Sequence, residues 1–160
     1  MIPFDRIIPM DWERAHEDLE EMYRVIATAI NGSQNEWTPT VDGSTTGAGT
    51  YTTQTGYYYR QGLLVDCWWH VIWSAHTGAN DLRIALPFTI KNSADVWVGE
   101  VIGNSLAYPG GETQALLKGI NNTKYAEVIA TADGAASAKV QIANTGDLIC
   151  HLRFISKDTI

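Results

Sequence analysis

Residues 67–73 read CWWHVIW and hold three of the chain's six tryptophans. An extended strand sends successive side chains to opposite faces. Cys67, Trp69, Val71 and Trp73 would then point one way, and Trp68, His70 and Ile72 the other. An antiparallel sheet that packs on one side normally shows polar residues on the other. Here both sets are apolar. The stretch therefore predicts a long strand with one face in the core and the second covered, most economically by a neighbouring copy of the same chain.

The same pattern extends outward from this strand. Short runs rich in Val, Ile, Thr, Trp and Tyr fall at 37–41, 49–53, 56–60, 63–74, 82–90, 96–103, 113–118, 125–131, 138–143 and 147–156. Between them stand "DGSTTGAG", "AHTGAND", "YPGGE", "INN", "ADG" and "NTGD", all turn chemistry. Many short strands without intervening helices predict an antiparallel β-sandwich, jelly-roll-like, over residues 36–160.

Before Asn31 the composition is different. Residues 1–10 contain Pro3 and Pro9, which oppose a helix, among apolar Ile2, Phe4, Ile7 and Ile8. So apolar an extended arm must dock on something. Residues 11–31 then favour a helix: Asp11 is a good N-cap, Glu13 and Glu17 suit the positive end, and Asn31-Gly32 is a stop. Its apolar positions are Trp12, Ala15, Leu19, Met22, Ile26 and Ala29, spaced alternately by three and four residues. That is a heptad seam, read as a self-associating helix in preference to one laid on its own domain. Ile26 and the small alanines leave the number of strands in such a bundle open.

Composition narrows the function classes. The 160 residues carry a formal net charge of -7 and no basic cluster. This excludes the Lys/Arg footprint that nucleic acid or an anionic membrane demands. The N-terminus lacks the basic start and apolar run of a signal peptide, and no apolar stretch approaches the ~20 residues of a membrane span. Cys67 and Cys150 are the only thiols; they are expected to be buried and reduced, and a zinc site would need spaced pairs. Among His16, His70, His76 and His151 no metal spacing recurs. His70 and Asp66 share a strand face and could in principle ligate a metal, but an interface histidine fits the surroundings better. No nucleophile elbow, phosphate loop or dinucleotide fingerprint is present, and "TGAGT" at 46–50 lacks the strand-to-helix context. No cofactor and no catalysis are expected.

The run "WTPTVDGSTTGAGTYTTQTGYYYRQGLLVDCWWHVIWSAHTG" with "LRIALPFTI" resembles the β-sandwich domains of bacteriophage virion fibres and surface structural proteins, over about residues 36–90. The stretch "IPMDWERAHEDLEEMYRVIATAING" is similar to the attachment and trimerisation segment of such fibres. The resemblance implies a homotrimer anchored to other virion proteins by its N-terminus, with β-domain loops turned to a host surface glycan. Richest in suitable side chains are "GNSLAYPGGE", with Asn104 and Tyr108, and "GINNTKY", with Asn121, Asn122 and Tyr125. Amides bond hydroxyl groups and tyrosine rings stack on sugar faces. A head decoration protein, a free carbohydrate-binding module and a small hydrolase are the competing readings.

Overall fold

The computed structural model describes residues 17, 19–22, 33–94, 96–104, 106, 108, 114–132 and 136–159. The chain divides into two compact units, Met1–Gly32 and Ser33–Ile160. In the first, residues 17 and 19–22 are helical, and Leu19 and Met22 of the expected seam are exposed on the single chain. Trp12, Ala15, Ile26 and Ala29, and the arm with Ile2, Phe4, Ile7 and Ile8, lie outside the described residues.

The second unit is antiparallel throughout. Its strands are β1 (Ser33–Trp37), β2 (Val41–Thr45), β3 (Gly49–Gln61), β4 (Leu64–His76), β5 (Ala79–Ala85), β6 (Val98–Asn104), β7 (Gln114–Gly119), β8 (Tyr125–Thr131), β9 (Ala138–Lys139) and β10 (Gly146–Ile155). They form one hydrogen-bonded sheet in the order β1-β3-β4-β10-β6-β7-β8-β5-β2, with β9 added to β8. The sequence predicts a sandwich; the mostly-β antiparallel class is present, and the sheet is continuous and curled around its core.

Side chains draw the two ends of the curl together. The Tyr51 hydroxyl on β3 accepts from the Val41 N–H of β2 at 3.1 Å and donates to the Val41 carbonyl at 2.9 Å. Burial raises the Tyr51 phenol above its ordinary pKa, keeping the proton this bridge requires. Nearby, His76 is buried with Nε2 3.1 Å from the Val41 carbonyl, while its Nδ1 accepts from the Gly78 N–H at 2.9 Å. These two bonds assign the Nε2–H tautomer.

Several boundaries differ from the sequence pattern: the strand expected at 82–90 is β5, which ends at Ala85 ahead of Pro87, and β1 and most of β2 lie where no strand is expected. The segment expected as a strand at 37–41 is a break between β1 and β2, where Pro39 removes a backbone donor. The two strands expected at 49–53 and 56–60 are one, β3, with register shifts at Thr50–Thr53. Gln54, which lies between them, bonds the Pro39 carbonyl at 2.9 Å. The strand expected at 138–143 contracts to β9, followed by an isolated bridge between Gln141 and Asp81.

The core follows the alternation. Val65, Cys67, Trp69, Val71 and Trp73 of β4 are buried, with Leu148, Cys150, Leu152 and Phe154 of β10 and Leu82, Ile84, Leu117 and Val128 from other strands. Trp73 donates from Nε1 to the Ala143 carbonyl at 2.9 Å. Its ring lies where a Cβ on its cross-strand partner Gly146 would sit, only 2.2 Å away, so glycine is needed there. Both cysteines are free and buried, and burial raises each thiol's pKa. That makes them poor nucleophiles.

Candidate functional site

The residues that alternate outward from β4 meet those of three neighbours. Register places Tyr57 of β3, Trp68 of β4, His151 of β10 and Glu100 of β6 in one row across the sheet. The adjacent row is Thr55, His70, Ile149 and Ile102. Next come Thr53, Ile72, Asp147 and Asn104. The first two rows line an open groove of about 430 Å³.

Its apolar surface is unusually open to solvent for a sheet face. Tyr57 is 39% exposed, Trp68 45%, Ile149 51% and Ile102 70%. Polar groups around it are Thr55, His70 and Glu100, and Glu100 is exposed with no hydrogen-bond or ion-pair partner among the described residues.

Two networks hold this face in shape. Asp66, buried in the next row of the same face, receives His151 Nε2 at Oδ1, 2.6 Å away, and Arg153 Nε at Oδ2, 3.0 Å away, with a further bond from the Arg153 guanidinium. A buried carboxylate needs such donors to offset its lost hydration. The His151 imidazole so fixed is stacked on the Trp68 indole, with centroids 5.2 Å apart and planes 9° from parallel. In the second network His70 Nε2 meets Asp147 Oδ1 at 2.8 Å, and Asn104 Nδ2 donates to Asp147 Oδ2 at 3.1 Å. Bonds from Asn104 and then His70 lower the Asp147 pKa.

His70 and Asp66, weighed against a metal in the sequence, do not share a partner: Asp66 is engaged by His151 and Arg153, and His70 by Asp147. Among the described residues, no group of three or more His, Cys, Asp and Glu could hold a metal ion. No described helix is long and apolar enough to cross a membrane.

Trp68, His70 and Ile72 share the outer face, with Ile72 and His70 half-buried. The loop residues chosen from the sequence are not brought together. Asn104 closes β6 and Tyr108 follows it in the β6–β7 connection, whereas Asn121 and Asn122 lie in the β7–β8 connection and Tyr125 opens β8. Successive connections of an antiparallel meander fall at opposite ends of its strands. Asn104 reaches the groove through Asp147 and His70. Asn121 instead donates to the Ser93 carbonyl at 2.8 Å, and Asn122 takes the positive φ of 61° that its turn requires.

Tyr57, Glu100, Ile102, Ile149 and His151 were not singled out from the sequence. A signal for two of them exists: in β10, Asp147, Ile149, His151 and Arg153 alternate with buried Leu148, Cys150, Leu152 and Phe154. What the sequence lacks is the pairing of β10 with both β4 and β6, which makes these separate rows one surface.

No protein-family model and no curated protein matches the chain. Among solved structures, the crystal structure of the Dettilon tailspike protein (gp208) is similar to it, with a TM-score of 0.54 and 17% identity. The likeness covers 78% of this chain and 24% of the tailspike, so the chain spans about a quarter of that protein's length. At this identity the shared property is the fold.

Proposed function

We propose that the chain is a bacteriophage tail-associated structural protein, a short fibre or spike component that contacts a host surface receptor, a glycan, through its β domain. The observation that carries this reading is the fold shared with a tailspike protein over 78% of the chain. The solvent-open aromatic groove on that fold supplies a surface on which contact can occur. The reading includes a homotrimer joined through the seam of residues 11–31 and held on the particle by residues 1–10. It assigns no catalytic step to the chain.

A second reading is a head decoration or head-fibre protein bound to other virion proteins. The exposed Ile102 and Ile149 beside Trp68 favour it, because apolar patches of this kind also receive protein neighbours.

Purified full chain, added before infection, should compete with the particles for adsorption, and gold-labelled antibody should mark the tail. Label on the head with no competition would replace the first reading by the second.

A further inference from the structure

An exposed indole on a sheet surface is ordinarily free to change rotamer. Trp68 is not. Its ring is stacked on His151, and His151 is tied to the buried Asp66, which Arg153 also holds. The fold thus uses a buried carboxylate to fix a flat aromatic surface that remains 45% exposed. Such pre-ordering lowers what a ligand loses on binding.

The groups around this surface are mainly acceptors. His70 Nε2 faces Asp147, and its Nδ1 has no partner among the described residues. With Nε2 engaged by Asp147, Nδ1 is left to meet a ligand hydroxyl. The Glu100 carboxylate stands in the same row as Trp68 and His151, and the Thr55 hydroxyl lies on the other flank beside His70. A complementary ligand therefore offers one apolar face and an edge of hydroxyl donors. A pyranose ring does both, its C–H face on the indole and its hydroxyls toward Glu100 and His70.

We infer that the groove over Trp68 is a saccharide subsite, selective for uncharged sugars, with Trp68 as the stacking platform and Glu100 as the principal hydroxyl acceptor. The inference rests on the adhesion reading for its biological role and not for its chemistry. Acidic sugars are disfavoured because Glu100 carries its negative charge in the platform's own row, with Asp147 in the row beyond His70. The groove volume of about 430 Å³ lies in the range of small-ligand sites.

The test is binding of the labelled full chain to an array of neutral hexose, N-acetylhexosamine, uronic acid and sialic acid oligosaccharides. NMR titration with each hit then follows the Trp68 indole N–H, assigned by its loss in Trp68→Ala. Binding is expected among the uncharged probes, with saturable shifts of that resonance. Trp68→Ala should weaken it about tenfold or more, from loss of the stacked ring. Glu100→Gln should narrow the gap between uncharged and acidic probes. No binding to any uncharged probe overturns the subsite, as does binding that is unchanged in Trp68→Ala. If no sugar binds and Trp68→Ala lowers the assembly mass by light scattering, the face belongs to a second copy and the inference falls. Saccharide binding without an effect on phage adsorption leaves the subsite and removes the adhesion role; adsorption competition without saccharide binding does the reverse.

Discussion

Strand β4 has two faces built from alternate residues of one stretch, and they are stabilised differently. On the inner face Val65, Cys67, Trp69, Val71 and Trp73 are buried among apolar neighbours. On the outer face Asp66, Trp68 and His70 are held by ion pairs, hydrogen bonds and a ring stack, and Trp68 stays open to water. The inner face gains stability from area removed from water. The outer face gains little of that. Its polar network fixes the position of an aromatic surface. Similar residue types therefore serve the fold on one side and, in this account, contact on the other.

The sharpest way to break the comparison is at the inner face. Trp73→Ala removes a filled volume and the bond to Ala143, and should destabilise the full chain by ~3–5 kcal/mol. Thermal unfolding followed by far-UV circular dichroism checks this; a loss under ~1 kcal/mol would mean the core tolerates collapse there.

Asp66→Ala comes next. It strips His151 and Arg153 of their shared acceptor, but both side chains reach solvent, so the expected loss is smaller, ~1–3 kcal/mol. A structural role alone would end there. The positioning role also predicts a broadened Trp68 indole signal in NMR and weaker saccharide binding, with Trp68 itself intact. Asp66→Asn should recover part of both, since its amide oxygen can still accept one bond.

Acid should act more gently. Asp147, Asp81 and Asp158 all have lowered pKa values, caused chiefly by bonds from Asn104, from Lys139 and from the Thr89 N–H respectively. In each, the unfolded chain binds the proton more tightly than the native one. Their stabilisation is therefore present above the unfolded carboxylate value and lost as pH falls through the lower folded value, from about pH 4 downward. All three are half-buried at the surface and partly screened by solvent, so the melting midpoint should decline gradually below pH 4. Asn104→Ala should remove part of the Asp147 contribution, lowering the midpoint slightly above pH 5 and making the decline below pH 4 shallower.

Periodicity made much of this division legible. The alternation in CWWHVIW separates Trp69 and Trp73 from Trp68 and His70, and the structure places them on opposite faces. Two things were not legible. Gln54 acts through a contact with the Pro39 carbonyl in a distant segment, so the uninterrupted β3 did not follow from local propensity, whereas the β1–β2 break carries a local signal in Pro39 itself. The groove depends on cross-strand register, which brings Tyr57, His151 and Glu100 beside Trp68 from three parts of the chain. Loop composition alone does not separate a turn-forming amide from a ligand-binding one. Asn121 has turn and loop chemistry, and it uses that chemistry on Ser93.

Trp68 and Trp69, adjacent in sequence, belong to surfaces with different work. Equilibrium unfolding of Trp68→Ala and Trp69→Ala in the full chain, at equal concentration, tests it directly. Trp69 is 3% exposed, and its truncation should cost ~3–5 kcal/mol. Trp68 is open to solvent, and its truncation should cost about 1 kcal/mol or less. Equal losses at the two positions would contradict the account, because the outer face would then be as much a part of the packed interior as the inner one.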